Sequence, residues 1–192
     1  MTLMTTGTQP MKSITLALLA GTAFAMGGCA TLNEAADDMG LSDETATATL
    51  RTADGTDVGT VTTMPMGGGI HVMVNAYNMP AGTHGAHIHT TGRCDAPDFS
   101  SAGGHWNPTD VPHGTMNDDG VAHAGDLPNL VIGANGSGSI DAMAPAGTFD
   151  AMLAGDGSAF VIHANADDGV SQPSGDAGSR IACGVLRRTD AI

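Results

Sequence analysis

Basic residues are scarce in this chain. Against 20 aspartates and glutamates it carries 6 lysines and arginines, for a net charge of −14 over 192 residues, and Lys12 is the one lysine. A chain this acidic has no footprint for the phosphates of nucleic acid or for an anionic membrane surface, and its acidity serves solubility. Aromatic residues make up 3% of the sequence, so a core has to be built from Val, Ile, Leu, Met and Ala. No stretch keeps a 3.6-residue apolar period, and no internal repeat is found, which argues against a helical bundle or a solenoid. The apolar run Ile14 to Ala20 is too short to span a bilayer.

That run has another reading. Met11-Lys12-Ser13, the apolar stretch and the small residues up to Cys29 have the layout of a secretory signal, with Met11 as the true start. Two processing sites compete. Ala23-Phe24-Ala25 suits a signal peptidase and would leave Met26 as the new terminus. Gly27-Gly28-Cys29 suits lipidation of Cys29, with Met26 where lipoproteins usually carry Leu, and this second site is the one expected. The chain then divides into an N-terminal extension and signal peptide (1–28), a polar, Ala-rich and acidic tether (29–45) and one folded domain (46–192). The expected location is the periplasm, with a lipid anchor through Cys29.

With Cys29 set aside, Cys94 and Cys183 remain. An exported chain with an even pair points to one disulfide; the alternative is two buried thiols. The closed loop would contribute on the order of 4 kcal/mol in the chain-entropy model.

Short segments of β character recur between clusters of Gly, Pro, Asn and Asp. Strands are expected near 46–52, 58–64, 69–77, 83–89, 129–133, 136–142, 148–154, 159–164 and 180–187, a spacing that fits a sandwich or barrel. Two long stretches break the rhythm, 90–128 and 165–179. Irregular segments of that length inside one domain are usually functional.

Seven of the eight histidines fall in or beside those stretches. His87-Ile88-His89 places two imidazoles on one face if the segment is a strand; on a helix they would diverge by about 200°. His105, His113, His123 and Asp126 lie within one loop, and three imidazoles with one carboxylate suit a closed tetrahedral zinc site. His163 ends the apolar strand Ala159-Phe160-Val161-Ile162-His163. Each feature alone has an ordinary account, as solvated or satisfied core histidines. Their joint spacing does not.

Read in order, six segments resemble the copper–zinc superoxide dismutases of the bacterial secreted type. They are His84-Gly85-Ala86-His87-Ile88-His89, Gly104-His105-Trp106-Asn107-Pro108, His113-Gly114, His123-Ala124-Gly125-Asp126-Leu127-Pro128-Asn129-Leu130, Val161-Ile162-His163-Ala164-Asn165-Ala166-Asp167-Asp168 and Gly178-Ser179-Arg180-Ile181-Ala182-Cys183-Gly184-Val185. The resemblance covers about 46–192. It implies an all-β fold: an eight-stranded antiparallel Greek-key β-barrel, an immunoglobulin-like sandwich with two long functional loops. It implies one copper and one zinc per subunit, superoxide as substrate, and a monomer or homodimer. Copper would be held by His87, His89, His105 and His163, and zinc by His105, His113, His123 and Asp126, with His105 bridging the two. Asp167 would link a copper histidine to a zinc histidine, and His84 would be structural. Arg180 would stand beside the open copper position, and Cys94 would pair with Cys183.

The resemblance also implies the chemistry. Copper changes valence and zinc does not, and the His105 ring can take up a proton and give it to the departing peroxide. The loop from Asp167 to Arg180 is short and lacks lysine, so Arg180 is its one cation and long-range steering of the anionic substrate is in doubt. Ser174 stands where many members have Thr. His71 matches nothing and reads as an ordinary strand residue. Two rivals are carried forward. A copper or zinc buffer on the same barrel would use the thioethers of Met64, Met66, Met73 and Met79, which otherwise fill a core poor in aromatics. A zinc-only structural domain would leave His87, His89 and His163 as spare ligands.

Overall fold

Alternation of inward apolar and outward polar residues builds most of the strands. In β1 (Thr45–Arg51) Ala46, Ala48 and Leu50 are buried while their neighbours face outward. The period-2 rule places every second side chain on one face. β2 (Asp57–Met66) and β3 (Gly69–Ala76) continue the pattern through Val61 and Thr63, then Ile70, Val72 and Val74. The computed structural model describes residues 44–189, apart from 115 and 117–119. The expected signal segment, Cys29 and the expected tether as far as residue 43 lie outside the described residues.

The remaining elements are β4 (Gly82–His84), β5 (Ala86–His89), a 3-10 turn (Ser100–Ala102), β6 (Leu130–Ile132), β7 (Gly138–Met143), α1 (Phe149–Leu153), β8 (Ala159–His163), β9 (Arg180–Val185) and β10 (Arg187–Thr189). The main sheet runs β5-β8-β9-β1-β2-β3-β7, with β10 also against β1, and β4 pairs β6. Every pairing is antiparallel. β3 lies against β7 and not against the strand that follows it, which is the Greek-key crossover. With β4 and β5 taken as one interrupted strand, and β9 and β10 as another, the barrel has its eight strands. The buried apolar cluster inside it includes Leu50, Ile70, Val72, Ile88, Leu130, Phe160 and Ile162.

Three expectations need correction. Residues 148–154 are not a strand: Phe149–Leu153 is a helix, with the Thr148 side chain capping the Ala151 N–H and Asp150 in the first turn. Both features favour a helix start. Segment 83–89 is broken at Gly85, whose N–H donates to Asn165 O at 2.7 Å and whose carbonyl accepts from His163 N at 2.8 Å. Those bonds go to the following loop and to the end of β8. Segment 180–187 is likewise broken, where Leu186 turns into the core.

The two long loops lie where expected, between β5 and β6 and between β8 and β9. The Cys94–Cys183 disulfide is formed, 89 residues apart, with Cα atoms 5.7 Å apart. It ties the start of the first loop to β9.

Candidate metal centre

Three backbone segments lie side by side at the centre of the site. Trp106 N–H donates to Ile88 O at 2.8 Å, Gly125 N–H donates to Trp106 O at 2.8 Å, and Ile88 N–H donates to Gly125 O at 2.9 Å. The long loop therefore returns twice to β5, and isolated bridges form between His87 and Asp126 and between His89 and His105. This stitching brings together candidate ligands that are far apart in the chain. Gly125 makes the close approach possible, because any side chain there would strike the Ile88 carbonyl.

Two donor groups result. In one, a nitrogen from each of His87, His89, His105 and His163 lies within 4.8 Å of all the others; in the other, the same holds for His105, His113, His123 and an oxygen of Asp126. All seven residues are buried. His105 belongs to both groups.

The ring orientations follow from what holds the second nitrogen of each imidazole. His87 Nε2 donates to Asp167 Oδ2 at 2.6 Å, and its buried Nδ1 has no hydrogen-bond partner among the described residues. His89 Nδ1 donates to Gly103 O at 2.9 Å and His163 Nδ1 to Gly178 O at 3.1 Å. Their Nε2 atoms meet at 3.4 Å. His105 turns Nε2, buried and also without a hydrogen-bond partner among the described residues, toward this group. Its Nδ1 lies 2.8 Å from Asp126 Oδ1 and 3.5 Å from His123 Nδ1. His113 Nδ1 lies 3.0 Å from Asp126 Oδ2 and His123 Nδ1 3.4 Å from Asp126 Oδ1. A tetrahedron with metal–ligand bonds of zinc length has edges of about 3.3–3.4 Å, close to these separations.

Charge points the same way. Burial pushes the His87 imidazole down to about 4 and that of His163 to about 3, and holds His89 well below its ordinary range. All three are neutral near pH 7, with lone pairs available for a metal. Burial also lowers His113, but the Asp126 and Asp167 carboxylates outweigh it and raise that ring to about 9. Burial would raise both of those carboxyls; their histidine partners instead hold them well below the usual carboxylate range. A buried and a partly buried anion among histidines are the surroundings a divalent cation satisfies. Four imidazoles suit copper, and three imidazoles with one carboxylate suit zinc.

Asp167 spans the two groups. It accepts from His87 Nε2 and, at 3.1 Å, from His113 Nε2. It is positioned by Asn129, whose side chain bonds Asp167 O and Asp167 N at 2.8 Å each. His84 bridges the carbonyls of His163 (2.9 Å) and Pro80 (3.1 Å), which leaves neither of its nitrogens for a metal. Arg180 donates to Phe99 O and Gly103 O at 2.6 Å each. With His89, His105, His163 and Ser174 it lines a cleft of about 420 Å³. A larger recess of about 600 Å³ beside the disulfide and β1 contains none of the histidines. Sequence reasoning missed the Gly103 and Gly178 carbonyls, Asn129, and Gln172, which brackets His113 by accepting from its N–H and donating to its carbonyl. Backbone acceptors leave no mark in a sequence; Asn129 sits in the quoted motif and could have been found there.

Comparison with known proteins agrees with this geometry. A family model described as copper/zinc superoxide dismutase matches residues 58–186. The superoxide dismutase [Cu-Zn] of Caulobacter vibrioides is 40% identical over 149 residues, covering 74% of this chain and 85% of that protein. That of Deinococcus radiodurans is 32% identical over 196 residues, covering 92% and 97%. Among solved structures, a SOD-like protein from Bacillus subtilis superposes with a TM-score of 0.69 at 38% identity, covering 73% of this chain and 97% of that one. The Cu/Zn superoxide dismutase from Brucella abortus gives 0.62 at 31% identity, covering 74% and 99%.

Proposed function

Because the chain belongs to the copper/zinc superoxide dismutase family and is an oxidoreductase acting on superoxide, we propose a specific division of labour among its residues. His87 (Nδ1), His89 (Nε2), His105 (Nε2) and His163 (Nε2) hold copper. His105 (Nδ1), His113 (Nδ1), His123 (Nδ1) and Asp126 hold zinc. The observation that carries this assignment is the placing of His105, one ring nitrogen toward each donor group.

Bound there, copper supplies the one-electron couple that turns one superoxide into dioxygen and the next into hydrogen peroxide, while zinc stays redox-inert. The protein supplies position and protons. Arg180, anchored on two carbonyls, presents a fixed cation in the cleft to the anionic substrate. His105 can hold a proton at Nε2 and pass it to the departing peroxide, with its other nitrogen kept in place on the zinc side. Asp167 fixes Nε2–H on both His87 and His113, which directs both Nδ1 atoms inward. An Arg in the cleft favours the enzyme over a metal buffer, which has no need of it.

The finer biology is part of the same proposal. The disulfide and the signal-like segment 11–29 support export to an oxidising compartment, the periplasm, with Cys29 as lipid attachment point. Both donor groups come from a single chain, so one subunit suffices for the centre and either a monomer or a homodimer can carry it. Intact mass of the mature protein separates a diacylglycerol on Cys29 from a free terminus at Met26.

The test is His163→Ala, purified with copper and zinc supplied. Dismutation is expected to be lost while zinc content and circular dichroism are kept. Near-normal rates in that variant would overturn the copper assignment.

A further inference from the structure

The sequence singles out two features that the dismutase centre does not use: His71 and the methionines around it. The register places them together. On β3, His71 is directly opposite Met64 of β2 on one side and Met143 of β7 on the other. Ile70 and Val72 point into the core, so by strand alternation His71 lies on the outer face, and its two methionine neighbours share that face. These methionines are not core filler. Met143 is exposed, and Met64 and His71 are half-buried.

His71 is held in the manner of His87. Its Nε2 donates to Asp141 Oδ1 at 2.6 Å, and its buried Nδ1 has no hydrogen-bond partner among the described residues. A carboxylate that fixes the proton on Nε2 leaves a lone pair on Nδ1, the arrangement that orients metal-binding histidines. Around His87 the neighbouring donors are imidazoles; around His71 they are thioethers. Thioether sulfur selects soft cations, Cu(I) above all, over Zn(II) and Cu(II).

We propose that Met64, His71 and Met143 form a second metal site, on the outer face of the barrel, which takes Cu(I) through His71 Nδ1 and two thioether sulfurs. Directly opposed residues on neighbouring strands have Cβ atoms about 4.5–5.5 Å apart, and an unbranched methionine has the freedom to turn its sulfur toward the ring between them. The Met143 methyl already lies over β3, 3.1 Å from where a Cβ on Gly69 would stand. Met73 is a further thioether on the same face, two residues along from His71.

The test uses full-length protein already loaded with copper and zinc, with any free thiol at Cys29 alkylated. Cu(I) is added anaerobically as its acetonitrile complex in competition with a chromophoric Cu(I) chelator. One further equivalent should bind. His71→Ala should remove it, and Met64→Leu with Met143→Leu should weaken it at least about tenfold, with dismutation unchanged in both variants. Ag(I), a redox-inert soft stand-in, should shift the methyl resonances of Met64 and Met143 at one equivalent in protein labelled on methionine methyls. The proposal fails if no further Cu(I) binds or if binding survives His71→Ala. It also fails if Zn(II) competes on equal terms or the methionine substitutions change nothing.

Discussion

His89 and Arg180 donate to the same oxygen, the carbonyl of Gly103, from Nδ1 at 2.9 Å and from Nη2 at 2.6 Å. One backbone atom thus sets both the tilt of a proposed copper ligand and the position of the cation proposed to face the substrate. Gly103 has φ 77°, a left-handed conformation that suits glycine, and the disulfide anchors the segment that carries it.

Arg180→Ala removes the cation but leaves the His89–Gly103 bond in place. Copper content should be unchanged while the dismutation rate at low salt falls at least about tenfold. That is the scale on which loss of a charge-assisted contact worth about 1.5–3 kcal/mol acts. Rapid mixing with superoxide at several ionic strengths measures it, and an unaltered low-salt rate would contradict the substrate role.

Asp167→Ala frees Nε2 of both His87 and His113. Loss of a carboxylate behind a metal-binding histidine costs about 10–100-fold in affinity, and here both copper and zinc should be affected. Chelator competition reads the two affinities separately. Asp57→Ala, at an exposed carboxylate on β2, should leave both as they are.

Reduction of the disulfide, or Cys94→Ser with Cys183→Ser, opens a loop of 89 residues. The chain-entropy contribution lost is about 4.6 kcal/mol, or a melting temperature lower by about 10–18 °C for a domain of this size. Scanning calorimetry on metal-loaded protein checks it. Copper should be held less firmly as well, because the segment bearing Gly103 loses its covalent tie to β9 and is left with the hydrogen bonds from Arg180.

For metal-free protein the pH dependence has two arms. His87 and His163, lowered by burial to about 4 and about 3, bind fewer protons folded than unfolded below about pH 6.5, so stability falls as pH drops from there. His113, where the Asp126 and Asp167 carboxylates outweigh burial and raise the ring to about 9, acts in the opposite direction. Its contribution is full below about pH 6.5 and is lost as pH rises through about 9. Urea titrations from pH 4 to 10 should show a maximum near pH 6.5. Zinc should flatten the upper arm, since it competes with the proton for Nδ1 of His113.

Much of this molecule is readable from residue order alone. The H-x-H pair His87 and His89, the single loop carrying His105, His113, His123 and Asp126, and His163 at the end of an apolar strand all mark themselves by spacing. Strand alternation and ligand type are local properties, so one chain suffices to see them. Local rules also misled where two of them competed. The β character of 148–154 gave way to the Thr148 cap and the first-turn Asp150, and the run 83–89 breaks at Gly85 because its backbone groups pair with Asn165 and His163.

What tertiary structure alone decided is which atom of each side chain faces a candidate metal position, and which residues hold it there. Choosing Nδ1 of His87 and Nε2 of His89 depends on Asp167 and on the Gly103 carbonyl, partners 80 and 14 residues away. The juxtaposition of Met64, His71 and Met143 depends on the pairing of β2, β3 and β7. Residue identities along the chain determined the kinds of ligand present and their order. Folding determined their geometry, because hydrogen bonds between distant segments are settled only when the barrel closes.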